Sequence, residues 1–401
     1  PPVVLPCVSS FRSVASYAKF LFWKLPDARL RPPDTLSQLS CHVRQQTLRT
    51  QVIASTASSL LHSVGIPTAL AGIPVTVRFR YGGIQVSRSD RMVRGSILLL
   101  MFIALLGCQP DPDSVRVGSN RWLGYAPFYL ADELQWTAPS GVRLVEYPTT
   151  TGVLRGFRNG MLDAAMLTLD ETLLLQASAD LNLEIILVTN VSAGADVLFA
   201  RAPIATVDDL RGRRIGVENT ALGAYFLSRV LDQAQLDIAD LQVVSLPVHE
   251  QVEAYAAGRV DAVITFASEG PALEASGARR IFDSRQLPDE IVDVLVVDRQ
   301  RVNPEQRKRL RALWFDALRA WQDQRAKTDP HLLARLGLTP AALQVTLDGL
   351  LMGDRAVNRE WLRDGQLHRS IARLNQYMGE RQLLNNVRHE GLVPRCEVLE
   401  C

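Results

Sequence analysis

The sequence predicts an α/β fold of two lobes with a helical C-terminal segment, and three observations predict it. From Ser114 onward, short β-branched runs alternate with helical stretches, the rhythm of a mainly parallel sheet covered by helices on both faces. That rhythm runs through one block to about residue 200 and then starts again in a second. The second block is followed by 291–297, a run too apolar for an edge strand, which reads as a return crossing into the first sheet.

In the first block, 115–118 is a strand and 126–134 a helix after the turn at Gly124. A strand over 142–147 precedes a helix over 151–158, which Asn159-Gly160 closes as a C-cap pair. Strand 163–167 leads into a helix opened by Asp170 and ending at 177, and 183–189 is the fourth strand. The second block reads as strand 213–217, helix 221–233, strand 241–246 and helix 249–257 ended by Gly258. Strand 261–266, a helix to 276 and a short strand near 280–282 complete it. After Asn303-Pro304 the chain turns helical to about Met378, first over 304–327, with breaks at Asp329-Pro330, Thr339-Pro340 and Gly353-Asp354.

The N-terminal third reads as a different object. Met92 is the first methionine, and Met92-Val-Arg94-Gly-Ser makes a short positive start to the apolar run 97–106, which ends in Gly107-Cys108. That order is a secretory signal peptide. Its apolar run is too short to span a hydrocarbon layer of about 30 Å. Leu105-Leu106-Gly107-Cys108 resembles the lipobox of bacterial lipoproteins, which implies lipidation of Cys108 and a membrane anchor; Leu106 is a less usual occupant of its position. Residues 1–91, rich in Pro, Ser, Arg and Thr, are either upstream translation or a disordered leader ahead of Met92, or an acid-poor transit peptide. A transit peptide before a lipobox makes little sense, so the first reading is preferred. The expected organisation is thus 1–91 leader, 92–107 signal peptide and 108–113 tether. Lobe I follows over 114–200, lobe II over 201–286, the return strand and C-terminal helices of lobe I over 287–380, and a tail over 381–401.

Charge divides along the same line. Before Cys108 there are 12 Lys/Arg and 3 Asp/Glu; from Cys108 onward there are 32 and 39. The acidic body argues against nucleic acid as a partner, because phosphate binding leaves a basic footprint. The cysteines are Cys7, Cys41, Cys108, Cys396 and Cys401, so 109–395 holds neither a disulfide nor a cysteine-based metal site. Cys396 and Cys401 either pair or belong to a frayed tail.

Several ordered segments resemble one family: the nitrate/taurine/sulfonate and thiamine-precursor branch of ABC-transporter substrate-binding proteins. They are Trp122-Leu-Gly-Tyr-Ala-Pro-Phe-Tyr-Leu-Ala131, Leu154-Arg-Gly-Phe-Arg-Asn-Gly-Met-Leu-Asp-Ala-Ala165, Leu169-Asp-Glu-Thr172, Gly194-Ala-Asp196, 209–218, 258–266 and 291–295. The resemblance runs from about Ser114 to Met378 and implies a type 2 periplasmic-binding-protein fold. It further implies a lipid-anchored protein of the periplasm or cell envelope, a monomer that binds a small-molecule solute and hands it to an ABC permease and ATPase. Neither catalysis, a cofactor nor a metal is implied. Many relatives follow the Thr-Phe pair with Glu-Pro, whereas Phe266 is followed here by Ala267-Ser268, which puts a ligand role for Glu269 in doubt.

Site residues follow from geometry as well. Ligands of open α/β sheets sit beyond the carboxyl ends of strands, where helix N-termini present unpaired N–H groups. The junctions so selected offer Trp122, Gly124, Tyr125, Thr150, Thr151, Thr168 and Asp170 in the first lobe, and Asn219, Thr220, Ala221 and Phe266 in the second. Each has a plainer reading: Asp170 and the threonines 149–151 as helix caps, the aromatics as core. Asp293, inside an apolar strand, must be paired or hydrogen-bonded, at the hinge or to a ligand, with the hinge preferred. Arg121 and Arg201 are the arginines available for an anionic solute. The junctions contribute the acids Asp170, Asp196 and Glu218 against Arg121 alone, which favours a neutral or cationic solute over sulfonate or nitrate. Competing classes are an enzyme on the same fold, similar to pyrimidine synthases, and a ligand-sensing envelope lipoprotein without a transporter. Against the enzyme stand an interior without Cys, lysines only at 308 and 327 after Met92, and no P-loop or G-x-S-x-G.

Overall fold

Residues 113–178, 181–385, 389 and 391–393 are described by a computed structural model of the chain. The expected leader 1–91, the expected signal peptide 92–107, the expected lipidation site Cys108, and Cys396 and Cys401 lie outside the described residues.

The chain opens with β1 (Val115–Asn120), α1 (Ala126–Glu133), β2 (Val142–Tyr147), α2 (Thr150–Arg158), β3 (Ala164–Thr168), α3 (Leu169–Ser178) and β4 (Leu183–Ser192). It then enters the second lobe as β5 (Asp196–Arg201), β6 (Arg214–Val217), α4 (Ala221–Ala234), β7 (Gln242–Ser245) and α5 (Val248–Ala256). β8 (Ala262–Phe266), α6 (Gly270–Ala275) and β9 (Ala278–Asp283) complete that lobe. The return runs through β10 (Val292–Asp298), α7 (Pro304–Asp323), α8 (Arg325–Leu336), α9 (Pro340–Leu347), β11 (Leu350–Met352), α10 (Arg355–Asn358) and α11 (Gln366–Glu380).

Two sheets result, ordered β11-β4-β10-β3-β1-β2 and β7-β6-β8-β5-β9. β10 inserts antiparallel between β3 and β4 as the expected return crossing. Its period-2 pattern explains the depth: Val292, Val294 and Val296 enter one core, Leu295 and Val297 the other. The same alternation in β5 sends Leu198 and Ala200 to one face and Val197 and Phe199 to the other.

Some boundaries differ from expectation. β5 belongs to the second sheet, so lobe I ends near residue 193 rather than at 200. The helix expected over 304–327 breaks at Gln324, while Pro330 sits inside α8. The turn around Pro330 is held by Asp329, which accepts from Trp321 Nε1 (2.7 Å) and Arg325 Nε (2.7 Å). Leu350–Met352, expected within a helical stretch, forms an edge strand on β4 instead. Asp170 does not open its helix: β3 runs directly into α3, and Glu171 caps the turn by accepting from the Thr168 amide at 3.1 Å.

The lobes share one βαβ unit, repeated at an offset of 98 positions. Asp163 takes the backbone amide of Arg116 (2.9 Å) and its guanidinium (2.8 and 2.6 Å). Asp261 does the same to Arg214 at 3.0, 3.0 and 2.6 Å. Gly160 and Gly258 stand at the same place with φ of 73° and 70°, where a left-handed turn ends the helix. Arg301 donates to the carbonyls of Phe157 and Leu162, and Arg201 to those of Tyr255 and Val260; the two pairs of carbonyls are again offset by 98, while the arginines come from outside the repeated unit. Arg201 is thus tied to the far end of the unit, away from the strand tips, which corrects its reading as an arginine available to a solute.

Two adjacent crossings join the lobes. Ser192 and Ser284 hydroxyls lie 2.7 Å apart, the Gly194 amide donates to Ser284 Oγ (2.6 Å), and the Ser192 amide to the Ile291 carbonyl (2.9 Å). Gly194 has φ of 118°, a conformation only glycine adopts without strain. The C-terminal segment also touches lobe II: α9 packs on residues 267–269, and Tyr377 of α11 donates to Asp232 of α4 at 2.7 Å.

If the repeated Asp–Arg clamp holds each unit, Asp163→Ala and Asp261→Ala should each lower the unfolding free energy by about 2 kcal/mol, since each strands a backbone amide and a guanidinium. Urea unfolding measures this. Losses below about 0.5 kcal/mol for both variants would contradict it.

Candidate functional site

A narrow cleft runs between the lobes, with a cavity volume of about 50 Å3 in its inner part. Lobe I lines it with Asn120, Trp122, Tyr125, Thr150, Thr168, Glu171, Ile291 and Asp293. Lobe II contributes Asp196, Glu218, Thr220, Phe226 and the β8 tip from Ile264 to Phe266, among others. A wider mouth continues outward past Arg121, Glu146, His249, Ser268 and Glu269.

Asp293 organises the lobe I wall. It is 3% exposed, and its two oxygens accept from Trp122 Nε1 (3.0 Å) and Tyr125 OH (2.8 Å). Both donors sit on the turn after β1, so a carboxylate on the return strand fixes the aromatic pair in place. Gly124 lies between them with no room for a Cβ, which would strike Asn190 and the Trp122 indole. Across the cleft Phe266 meets Trp122 with ring centroids 4.6 Å apart and planes tilted by 39°. These two rings form a contact between the lobes.

Two helices aim their N-termini at the cleft. Thr149 caps α2 by accepting from the Gly152 amide (3.3 Å), and Thr220 caps α4 by accepting from Gly223 (3.1 Å). Thr150 and Thr220 therefore reach the wall as part of helix starts.

Of the residues selected from sequence, Trp122, Tyr125, Thr150, Thr168, Thr220 and Phe266 line the cleft. Gly124 supports the wall from behind. Thr151, Asp170, Asn219 and Ala221 are not on the lining; Asn219 is exposed, and Asp170 is buried beside it with Oδ2 unpartnered. Arg121 stands at the mouth, its side chain 69% exposed and 3.8 Å from Glu146. Glu269 is also at the mouth, where Ser268 Oγ donates to it at 3.3 Å. Asp293, read from sequence as a hinge residue first, instead stands on the cleft wall.

Sequence reasoning missed Asn120, Glu171 and Thr265 as wall residues, and it named Asp196 and Glu218 only as nearby acids. Asp196 and Asp293 lie at the starts of antiparallel strands, first in β5 and second in β10, so the rule about carboxyl ends of parallel strands does not see them. They are equivalent: Asp293 pairs with Thr168 and Asp196 with Phe266, positions 98 apart. The available signal was an acid in the apolar runs Ala-Asp196-Val-Leu-Phe and Val-Asp293-Val-Leu-Val.

The family described as NMT1/THI5 like matches residues 122–330. Among solved structures the chain is similar to the periplasmic aliphatic sulphonate binding protein SsuA from Escherichia coli, at 21% identity and a TM-score of 0.59, over 71% of this chain and 93% of that one. It is also similar to the alkanesulfonate-binding protein SsuA from Xanthomonas axonopodis pv. citri, solved bound to MOPS (19% identity, TM-score 0.56, 71% and 97% covered). The desulfurization enzyme DSZB shares the fold as well (19% identity, TM-score 0.54, 71% and 97% covered). The expected two-lobed periplasmic-binding architecture is thus the fold of this chain. No curated protein matches its sequence.

The cleft is electrostatically one-sided. Burial first, then the charges of Asp293 and Asp170, together push Asp196 up to about 7 against a hydrogen bond from Ser192. Burial pushes Asp293 up to about 6, although Tyr125 and Trp122 donate to it. Asp170, Glu171 and Glu218 are also raised, first by burial. Among the described residues, no Lys, Arg or His forms an ion pair with Glu171, Asp196, Glu218 or Asp293. Because the folded-state pKa values lie above the unfolded ones, the unfolded chain holds fewer protons between about pH 4 and 7. Stability of the solute-free chain should therefore fall as pH rises through that window and level off above it. Asp196→Asn should be more stable than the parent at pH 8, by about 1–3 kcal/mol, and equal to it near pH 4. Thermal melts at the two pH values decide; a parent that gains stability from pH 4 to 7 would contradict the assignment.

Proposed function

We propose that this chain, which belongs to the NMT1/THI5-like family, is the extracytoplasmic solute-binding component of an ABC importer. It holds a small organic molecule between its lobes and delivers it to a permease driven by an ATPase. The observation that carries this reading is the inter-lobe cleft, walled by aromatic rings from both lobes and by unpaired polar groups at strand tips and helix starts. Such a concave, partly apolar site with a few convergent polar groups is what a small ligand requires. The paired crossings at Gly194 and Ser284 are the natural hinge. Export by the 92–107 signal, lipidation at Cys108 and a monomeric state complete the proposal.

The similarity to DSZB keeps an enzyme in view. Among the described residues the inner lining carries no Cys, Lys or His, and the acid–base groups it does offer are the carboxyls of Glu171, Asp196, Glu218 and Asp293. Small-angle scattering with a panel of small organic solutes tests the reading. At least one solute should shrink the radius of gyration and raise the melting temperature, and it should be recovered chemically unchanged. Trp122→Ala should weaken that solute by about tenfold or more, a loss of about 1.4 kcal/mol or more, while Asn219→Ala leaves it bound. A panel without a single stabilising compound, or a solute returned with altered mass, would sink the proposal.

A further inference from the structure

The two halves of the cleft each contribute one carboxylate at the same structural position. Asp293 is the second residue of β10, opposite Thr168, and Asp196 opens β5 opposite Phe266, the matching residue of the repeat. Both are buried, at 3% and 5% exposure, and both line the cleft. Each belongs to a different lobe. Glu171 and Glu218 add further carboxyl groups; among the described residues no Lys or Arg forms an ion pair with any of the four, and His249 at the mouth acts on Glu218 alone.

A second feature points to a ligand independently of the acids. The hydroxyl of Thr265, a residue 4% exposed, lines the cleft and has no hydrogen-bond partner. Asn120, on the opposite lobe, presents an unpartnered Oδ1 acceptor to the same space. A buried hydroxyl left without a partner costs on the order of 1–3 kcal/mol, so such atoms mark where a bound molecule supplies the missing bond.

We propose that the cleft selects an organic cation, a protonated amine or amidine carried on a flat ring, whose charged N–H groups bridge Asp196 of lobe II and Asp293 of lobe I. The proposal rests on the solute-binding reading and names the chemistry of its solute. Three physical arguments support a cation of this form. Two like charges brought together in a low-dielectric cleft repel, and a cation between them turns repulsion into a clasp that joins the lobes. The rings of Trp122 and Phe266 line the cleft and touch each other across it; once the lobes part, their π faces can attract a cation and stack on a flat ring. The acids do not converge on one point: no group of three His, Cys, Asp or Glu among the described residues could hold a metal ion, so the donors suit a molecule with spread N–H groups. Asp293 keeps its Trp122 and Tyr125 donors and still has acceptor capacity, since each carboxylate oxygen carries two lone pairs. An anionic sulfonate would face four carboxyl groups with Arg121 only at the exposed mouth.

Calorimetric titration with benzamidine and tryptamine, against benzenesulfonate and benzyl alcohol, tests this at pH 5.5 and pH 8. The titratable groups facing the two aspartates are Tyr125 from the turn after β1 and Asp170 and Glu171 from α3. At least one of the two cations should bind, about fivefold or more tighter at pH 8 than at pH 5.5, because its charge favours the ionised carboxylates. Asp196→Asn should weaken it by about tenfold or more and flatten the pH dependence, and Asp293→Asn should do likewise. Thr265→Val, nearly the same shape, should weaken it less and leave the pH dependence intact. Binding by benzenesulfonate or benzyl alcohol with no binding by either cation overturns the cation assignment and leaves the solute-binding reading standing. No binding by any of the four overturns the assignment too, and the scattering experiment then decides the broader reading. Asp196→Asn binding the cation as the parent does, with an intact melt, also overturns it.

Discussion

The return strand β10 must carry a carboxylate through the middle of a sheet, and the site is arranged around that necessity. A charged group buried in an apolar strand is tolerated only with strong donors. Trp122 and Tyr125 supply them, and in doing so they are held as one wall of the cleft. The polar demand of one strand thus sets the position of two aromatic rings 168 and 171 residues away in sequence. Gly124 between them is small because Asn190 and the indole fill the space where a side chain would go.

The second constraint is the double crossing. The two crossings are tied to each other by Ser192, Gly194 and Ser284, and a pair of adjacent crossings is the arrangement that hinge bending uses. Both crossings end where a cleft aspartate begins, at Asp196 and near Asp293. The residues that bend and the residues that line the site are therefore neighbours, and ligand contacts at the strand starts act directly on the hinge. Tyr377 of the C-terminal helix donates to Asp232 of α4, and Glu290 ahead of the return strand accepts from Tyr225 and Arg229 of α4.

Much of this was legible in the residues. Alternating patterns marked most strands, and the greasy run over 291–297 announced the return crossing because only a strand covered on both faces tolerates such composition. Part of the wall followed from strand tips: Trp122, Tyr125, Thr168 and Phe266. The rest was hidden for physical reasons. β5 is as apolar as its neighbours but antiparallel, so a reading built on βα junctions passed over it and put the lobe boundary too late. Asp196 and Asp293 enter the cleft at strand starts. Glu171 reads as a helical surface residue until it is seen folding back to the Thr168 amide. The offset of 98 positions that relates Arg116–Asp163 to Arg214–Asp261 was present in the sequence, but it shows only as two acids and two arginines at matched spacing, a pattern no hydrophobic period reveals.

The account stands on the cleft retaining a guest without changing it. The most direct measurement is to incubate the chain with the small-molecule fraction of its own cells, strip unbound material by rapid gel filtration, denature, and identify what is released by mass spectrometry. One species near one equivalent, of the same mass as in the input and lost from the Trp122→Ala chain, is the predicted result. Release of nothing beyond what that variant retains, or of a species absent from the input, would contradict it.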